Sequence, residues 1–168
     1  MDEDIFGTQV NNLLMRRMRL SDSLILLEWR NHQEVRKYAR NKEPILLEEH
    51  QKWVSNKLSS SELESQIYFF LEGEQPLGMS RLDWVDKESV ELSILVNPSN
   101  WGSGYGSSIL KLTVEQAKNL LNVTQLYASI HKDNLNSIRL FKKYGFSQVA
   151  HKEEFHEFVF SSRSQIIP

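Results

Sequence analysis

Residues 91–108 read Glu91-Leu-Ser-Ile-Leu-Val-Asn-Pro-Ser-Asn-Trp-Gly-Ser-Gly-Tyr-Gly-Ser-Ser108, and this stretch says most about the fold. Its pattern predicts a β-strand from Val90 to Val96, then a glycine-rich turn and a helix from Ser103 to about Leu120. Three of the chain's seven glycines fall within five residues of this turn: Gly102, Gly104 and Gly106. Glycine lets the backbone turn sharply and approach a ligand closely. The first amides of the helix lack intrahelical partners and lie at the positive end of its dipole, so the corner predicts a phosphate-binding site.

Two better-known phosphate loops do not match this turn. A P-loop requires Lys followed by Ser or Thr after its last glycine, but Gly106 is followed by Ser107-Ser108. A dinucleotide-binding fingerprint requires Gly-x-Gly-x-x-Gly near the start of a parallel sheet, whereas this run is Gly-x-Gly-x-Gly and follows an antiparallel meander. Both motifs are therefore excluded, and a plain glycine-rich connection from strand to helix remains the alternative.

Length and composition bound the class of protein. The 168 residues predict one domain, and 40% hydrophobic with 25% charged residues is ordinary for a globular chain. The net charge of −2 argues against nucleic acid or anionic lipid as a partner. The absence of cysteine excludes disulfides, thiolate zinc sites and a cysteine nucleophile. The start, Met1-Asp2-Glu3-Asp4, is acidic and no long apolar run follows, so we expect no secretory signal, no membrane span and a cytoplasmic location.

The elements expected along the chain follow the order β-α-α-β-β-β-α-β-α-β-β. Predicted strands cover residues 13–20, 66–71, 77–85, 90–96, 125–130, 146–150 and 155–160, and predicted helices cover about 22–30, 47–58, 103–120 and 134–144. Short turns in the middle of the chain favour antiparallel pairing, and the later strand-helix-strand unit favours parallel pairing. The fold class is therefore α+β, with one mixed, mostly antiparallel sheet and helices on both faces. Residues 1–12 are expected to form a loose leader and residues 13–168 a single domain.

Two motifs together resemble the GCN5-related N-acetyltransferase (GNAT) superfamily. Trp101-Gly-Ser-Gly-Tyr-Gly106 is similar to the signature Gln/Arg-x-x-Gly-x-Gly/Ala, with Trp101 in the place of Gln or Arg. Downstream, Asn134-Leu-Asn-Ser-Ile-Arg-Leu-Phe-Lys-Lys-Tyr-Gly-Phe146 resembles the block Asn-x-x-Ala/Ser…Tyr-x-Lys-x-Gly-Phe. The resemblance covers about residues 13–160 and implies the GNAT fold, with transfer of an acetyl group from acetyl-CoA to an amine. A Trp at position 101 also looks like the branch that acetylates ribosomal-protein amino termini.

The resemblance also implies a set of residues for acetyl-CoA. The strand before the glycine loop is expected to separate from its neighbour and to pair through its backbone with pantetheine, and an amide there can stabilise the oxyanion. The loop and the start of the following helix are expected to hold the pyrophosphate. Arg139, Lys142 and Lys143 are candidates for the 3′-phosphate, with solvated helix charges as the alternative. The implied residues are Ile94, Leu95, Val96, Trp101, Gly102, Ser103, Gly104, Tyr105, Gly106, Ser107, Asn134, Ser137, Phe141 and Lys143. No metal site is expected.

Candidates for proton transfer are fewer. A protonated acceptor amine must lose its proton before it attacks, and Glu91 is the first candidate base because it is in phase with Ser93 and Leu95 on the strand that leads to the loop. His50 is the second, on a helix expected to border the acceptor; a solvated Glu91 and a packed His50 are the alternatives. Phe141 stands where the superfamily commonly has a Tyr that protonates the leaving thiolate. Tyr127, Tyr144 or water is left as the source of that proton.

The amino-terminal third contains the features that bear on the acceptor. Residues 30–42 carry five basic side chains and one acid, a local charge of +4 that would attract an anionic acceptor. The basic residues are Arg30, Arg36, Lys37, Arg40 and Lys42, and the acid is Glu34. A solvated charged surface is the alternative.

A further resemblance narrows the acceptor. Glu28-Trp-Arg-Asn-His32 and Ile45-Leu-Leu-Glu-Glu-His50 look like the N-acetyltransferases of the pseudaminic acid pathway, which act on the 4-amino group of a UDP-linked amino-dideoxy sugar. The resemblance implies substrate contacts from Arg30, Asn31 and His50. We therefore expect an N-acetyltransferase of a nucleotide-linked amino sugar, working as a monomer or homodimer. The alternatives are an amino-terminal protein acetyltransferase and a non-catalytic acyl-CoA-binding module.

Overall fold

The computed structural model describes residues 5–10, 12–120 and 122–161. The described strands are β1 (Ile5–Val10), β2 (Leu13–Arg17), β3 (Ser65–Glu72), β4 (Gln75–Trp84), β5 (Ser89–Val96), β6 (Gln125–His131), β7 (Ser147–His151) and β8 (Phe155–Ser161). The described helices are α1 (Ser23–Asn31), α2 (Gln33–Arg36), α3 (Leu47–Ser59), α4 (Tyr105–Lys118) and α5 (Leu135–Lys143). None of these helices is long and apolar enough to cross a membrane.

All the described strands belong to one sheet, in the order β1-β2-β3-β4-β5-β6-β8-β7. Each neighbouring pair is antiparallel except β5 with β6, which is parallel. The predicted α+β class and the mixed, mostly antiparallel sheet are therefore confirmed. The one parallel pair is connected through α4, because two parallel neighbours need a crossover between them.

Two elements differ from the predicted order. Residues 5–10, expected within a loose leader, form β1, which pairs antiparallel with β2. This prediction was wrong because the backbone groups along β2 gain hydrogen-bond partners when a further strand pairs with them. The short helix α2 was also not predicted, since four residues are too few to show helical periodicity. The acidic start, Met1-Asp2-Glu3-Asp4, lies outside the described residues.

Helices pack on both faces of the sheet, as predicted. Strand β3 shows the arrangement, because its side chains alternate between two buried clusters. Tyr68 and Phe70 pack with α4 and α5 on one face, which we call the α4 face. Ile67, Phe69 and Leu71 pack with α1 and α3 on the other, the α1 face. Both faces of the central strands are thus removed from water, and β3 is apolar along most of its length.

The parallel strands β5 and β6 stay together for only a short distance. Ser89, Val90 and Glu91 pair with Gln125–Tyr127, and beyond Glu91 the two strands are no longer paired. On its other edge β5 remains paired with β4 as far as Val96. The backbone edge of residues 92–96 that faces β6 is therefore left open. This confirms the separated strand that the family resemblance implied.

Candidate active site

A cavity of about 1080 Å³ occupies the opening between β5 and β6. Its walls come from the loop before α4, the amino-terminal part of α5, the carboxyl ends of β5 and β6, and the helices α1 and α3. Among its lining residues the cationic side chains are Arg30, Arg81, Arg139 and Lys143, and the carboxylate is Asp133. The cationic side chains outnumber the carboxylate in this lining, so the cavity favours anionic ligands.

The glycine loop supplies a row of backbone amides to this cavity. Gly102 and Gly104 have φ angles of +83° and +84°, and Gly104 stands immediately before the first residue of α4. Hydrogen bonds to Pro98 O and Asn100 O occupy amides earlier in the loop, those of Trp101 and Ser103. Within the described residues, no hydrogen bond is made by four further amides, those of Gly102, Gly104, Tyr105 and Gly106.

These four amides belong to residues that line the cavity, at the amino-terminal end of a helix. Oriented amides at such a position bind phosphate without a basic side chain. Ser107 also lines the cavity, whereas Ser103 does not. The amide of Ser103 donates to Asn100 O at 3.4 Å, so Ser103 stabilises the conformation of the loop.

Strand β5 and Trp101 form the next part of the wall. Ile94, Leu95 and Val96 all line the cavity along the open edge of the strand. Trp101 is 45% exposed, and its indole Nε1 donates to the carbonyl oxygen of Val96 at 3.0 Å. The indole thereby ties the loop to the end of β5.

Helix α5 closes the same end of the cavity. Asn134 caps the helix, because its Oδ1 accepts the backbone N–H of Ser137 at 3.2 Å. Both residues line the cavity, as do Phe141 and Lys143. Free loop amides, an open strand edge and cations on α5 together fit the diphosphate, the pantetheine amides and the 3′-phosphate of coenzyme A.

Phe141 has no proton to donate to a leaving thiolate. Its side chain is 3% exposed and packs edge-on against Phe146 at 5.0 Å between ring centroids. The Tyr144 hydroxyl lies 2.8 Å from the hydroxyl of Ser107, which lines the cavity. Tyr127 instead donates to Gln125 Oε1 at 2.6 Å and does not line the cavity. Of the two tyrosines, Tyr144 is thus the one linked to the cofactor end.

His50 does not have the position expected of a base. Its side chain is 0% exposed and is absent from the cavity wall. Nε2 lies 2.7 Å from the carbonyl oxygen of Ser23 and must donate to it, so Nδ1 accepts from Arg30 Nη1 at 3.2 Å. Burial, with a smaller effect from the charge of Arg30, lowers the pKa of His50 although the bond to Ser23 opposes this shift. These contacts oppose direct proton transfer or substrate contact by His50, and they orient Arg30 instead.

Asn31 also has a different place from the one expected. Its Nδ2 donates to Ile45 O at 2.9 Å, and its Oδ1 accepts from Ile45 N at 2.8 Å. Asn31 does not line the cavity. Because both ends of its amide are engaged by the backbone, Asn31 holds the segment before α3 against α1 rather than contacting a ligand.

Glu91 lies on the α1 face of the sheet but outside the cavity wall. It pairs in register with Asp83 of β4 and Tyr127 of β6, at the last position before β5 and β6 separate. The next residue of β5 on the same face, Ser93, does line the cavity. Glu91 therefore lies at the end of the cavity where β5 and β6 are still paired, two residues before Ser93.

Arg30 and the unpredicted Arg81 both lie near the ring of Trp53 in the cavity. The guanidinium carbons of Arg30 and Arg81 lie 4.6 and 5.8 Å from the ring centroid of Trp53. Burial and then the charge of Arg81 lower the pKa of Arg30. Arg81 is a lone basic residue on a strand, and only the alternation of β4 could have indicated which face it is on.

The remaining basic residues of 30–42 are used mainly within the protein. Arg36 donates to the carbonyl oxygens of Asn31 and Lys42, and Lys42 donates to that of Lys37. Lys37 forms an ion pair with Glu34, which raises the pKa of Lys37 first through their hydrogen bond. Of the basic residues of 30–42, Arg30 lines the cavity, and Arg40 donates a hydrogen bond of 2.8 Å to the hydroxyl of the lining residue Ser129.

Comparison with known proteins identifies the family. A model of the GNAT acetyltransferase domain matches residues 12–147. This chain belongs to the GNAT acetyltransferase domain family. The expected family is therefore confirmed, and acetyl-CoA is the acetyl donor of GNAT enzymes.

Individual GNAT relatives are distant. An N-acetyltransferase 9-like protein of Nematostella vectensis is 28% identical over 137 residues, which are 82% of this chain and 65% of that protein. Acetyltransferase PseH of Campylobacter jejuni is 23% identical over 132 residues, 79% of this chain and 81% of that protein. Spermidine N-acetyltransferase from Vibrio cholerae, solved with CoA and spermine, superimposes with a TM-score of 0.81 at 15% identity, covering 90% and 96% of the two chains. The chain thus spans less than two thirds of the Nematostella relative, and the solved structure supports the fold.

Proposed function

We propose that this chain transfers an acetyl group from acetyl-CoA directly to a primary amine of a small anionic acceptor, the amino group of a UDP-linked amino-dideoxy sugar. When bound, acetyl-CoA supplies the activated acetyl thioester. The amides from Gly102 to Gly106 would hold its diphosphate, the open edge of residues 94–96 its pantetheine, and Lys143 its 3′-phosphate. With no cysteine in the chain, no thiol nucleophile is available for an acyl-enzyme.

The observation that carries the anionic acceptor is the pair of guanidinium groups around Trp53. Arg30 is held there by His50, and Arg81 by Asp83, whose Oδ2 is 2.5 Å from Arg81 Nε. Both guanidinium groups lie near the same indole ring and repel each other, and the pKa of Arg30 is lowered first by burial and then by the charge of Arg81. A phosphate or diphosphate between them would relieve that repulsion and form charge-assisted, bidentate hydrogen bonds.

The carboxylate beside Arg81 does not cancel this charge. Asp83 is also bound by Lys57 Nζ and Ser65 Oγ, each 2.6 Å from its Oδ1. Burial acts to raise the pKa of Asp83, but the charge of Arg81 and the bonds from Lys57 and Ser65 bring it below the ordinary value. Arg30, Arg81 and Lys57 thus outnumber Asp83 and its cross-strand neighbour Glu91 by one charge, which supports an anionic acceptor over a polyamine or a basic peptide.

Glu91 stays our candidate base, acting through water. An α-amine titrates near ~7.7–8.0 and a lysine-like amine near ~10.4, so a protonated acceptor needs a proton acceptor. Glu91 is two residues before Ser93 on the same face, and Ser93 lines the cavity. Because Glu91 itself lies outside the cavity wall, the position suits a proton relayed through water better than direct transfer. The amides of the open β5 edge are the proposed donors to the thioester oxyanion.

A CoA-release assay with a panel of amines tests the proposal. The panel contains UDP-linked amino sugars, spermidine and basic peptides, each with acetyl-CoA. We expect turnover with the UDP-sugars, and an acceptor KM about 10- to 100-fold higher in Arg81→Gln, as for loss of a charged hydrogen bond of about 1.5–3 kcal/mol. Lys111→Gln is the matched control: it removes one positive charge from an exposed residue of α4 outside the cavity.

Three results would contradict the proposal. Turnover with peptides or spermidine and none with UDP-sugars would refute the anionic acceptor. Equal KM values in Arg81→Gln and Lys111→Gln would refute the role of the guanidinium pair. A rise in melting temperature with acetyl-CoA, without CoA release for any amine, would favour the non-catalytic module, which the missing hydroxyl at Phe141 keeps as a second candidate.

A further inference from the structure

His131, the last residue of β6, belongs to the cavity wall and has no part in the proposed mechanism. Leu126, Ala128 and Ile130 of β6 pack on the α4 face, so Ser129 and His131 point to the α1 face, where the acceptor is expected. The His131 ring is 8% exposed and lines the cavity. The wall at this point is thus an almost fully buried imidazole.

The ring is fixed on three sides. Its centroid lies 5.8 Å from that of Tyr38 and 5.2 Å from that of Phe155, the latter edge-on. Nδ1 accepts the backbone N–H of Asp133 at 3.2 Å. An oxygen of the Asp133 carboxylate lies 3.8 Å from the same Nδ1, and the Asp133 side chain is 70% exposed. Packing sets the plane of the ring, and the hydrogen bond to Asp133 sets its rotation.

This hydrogen bond determines the chemistry of the other nitrogen. A ring whose Nδ1 accepts an N–H carries its proton on Nε2. In the part of the chain that the structure describes, Nε2 of His131 has no protein partner. Nε2–H is therefore a donor held in place with nothing in the protein to receive it. A base would need the opposite tautomer, in which Nδ1–H would face the N–H of Asp133.

Neighbouring side chains extend the donor character of this wall. Arg40 Nη2 donates to Ser129 Oγ at 2.8 Å, and its guanidinium carbon lies 4.6 Å from the centroid of the Phe155 ring. Ser129 lines the cavity and keeps its own hydroxyl proton available for donation. His131 and Ser129 thus present two donors on the face where the acceptor is expected.

We propose that His131 is an acceptor-binding residue, whose Nε2–H donates a hydrogen bond to an oxygen of the acceptor, and that it is not the base. This inference rests on the proposed function, because it requires an acceptor that carries hydroxyl, carbonyl or phosphate oxygens. A polyamine has no such oxygen and would cover the cavity-facing donor without giving it an oxygen acceptor, which disfavours its binding. His131 thereby selects for oxygen-bearing amines such as sugars.

The test compares two substitutions with different hydrogen-bonding ability, using the UDP-amino sugar that gives turnover in the panel. His131→Leu keeps an apolar body beside Tyr38 and Phe155 but has no donor, whereas His131→Gln keeps an N–H donor and has no basic nitrogen. We expect the acceptor KM to rise about 3- to 10-fold in His131→Leu and to return to within about twofold of wild type in His131→Gln. The KM for acetyl-CoA should stay unchanged in both, and His156→Leu, outside the cavity, is the matched control.

Separate outcomes refute separate statements. If kcat falls equally in His131→Gln and His131→Leu while the acceptor KM is unchanged, His131 is a base and the inference is wrong. If His131→Leu leaves the acceptor KM unchanged while the wild-type chain turns over, the inference fails alone. If no amine in the panel gives turnover, the proposed function is refuted, and the inference about His131 loses its basis. Nitrogen-15 NMR of the free protein gives a readout without acceptor: an Nδ1–H tautomer at His131 would also overturn the inference.

Discussion

Gly104→Ala is the sharpest test of the cofactor loop, because it changes the backbone and leaves the charge and the packing unchanged. Gly104 has φ +84°, and a Cβ built on it meets no atom within 4 Å. The added methyl group therefore causes no clash. Its effect comes from the left-handed conformation, which costs a residue with a side chain roughly 1–2 kcal/mol.

The magnitude follows from where this free energy is lost. Alanine relieves the strain if the free loop relaxes to negative φ, which moves the amides of Tyr105 and Gly106 from their positions. Coenzyme A must then restore the original loop when it binds, at the same roughly 1–2 kcal/mol. Since 1.4 kcal/mol is a factor of ten, we expect the Kd of acetyl-CoA to rise about 5- to 30-fold.

Gly73→Ala provides a control with the same backbone strain in another place. Gly73 has φ +59°, and its Cβ would also meet nothing within 4 Å. It lies in the turn between β3 and β4, outside the cavity wall. Calorimetric titration with CoA, together with melting curves, should show weakened binding in Gly104→Ala only and a lower Tm in Gly73→Ala. Equal CoA affinity in the two variants would refute the assignment of the diphosphate to this loop.

Two further variants test the acid and the buried imidazole. Phe141→Tyr puts a hydroxyl in the cavity wall where the superfamily commonly has one. We expect kcat in the CoA-release assay to rise about tenfold, which is a modest part of what general acids contribute. An unchanged kcat with an unchanged Tm would mean that another group protonates the thiolate. Burial holds the pKa of His50 below the value of about 6.5 that it has in the unfolded chain. As the pH falls below 6.5, the unfolded state therefore binds the proton first. The free energy of unfolding decreases as a result. The Tm should therefore fall more between pH 7.5 and pH 5.5 in the wild type than in His50→Gln, and equal falls would show that His50 is not held neutral.

The geometry of the proposed cofactor half of the site could be predicted because its features are local. The positive φ at Gly102 and Gly104, the free amides before α4 and the cap at Asn134 all depend on residues within a few positions of one another. Local sequence determines such turns and caps directly. The strands and helices around them were also predicted to within a few residues, because most show a two- or 3.6-residue period and β3 is a short continuous apolar run bounded by turns.

The acceptor half could not be predicted in the same way. Asn31 and His50 were interpreted as substrate contacts from their neighbours in sequence, but Ile45 engages the first, and Ser23 and Arg30 the second. Each contact joins residues between 14 and 27 positions apart. Whether a polar side chain faces a ligand or another part of the chain depends on that packing, which a local pattern does not contain.

The amino-acid sequence alone indicated the family, the order of all but two elements and the loop proposed for the coenzyme, since glycine spacing and hydrophobic periodicity act over short distances. Tertiary packing set which charged side chains line the cavity. It brought Arg81 of β4 beside Arg30 of α1, turned His50 inward, and left His131 with a free Nε2 at the end of β6. The physical reason is that burial and hydrogen-bond pairing are properties of the packed chain, in which residues far apart in sequence compete for the same partners.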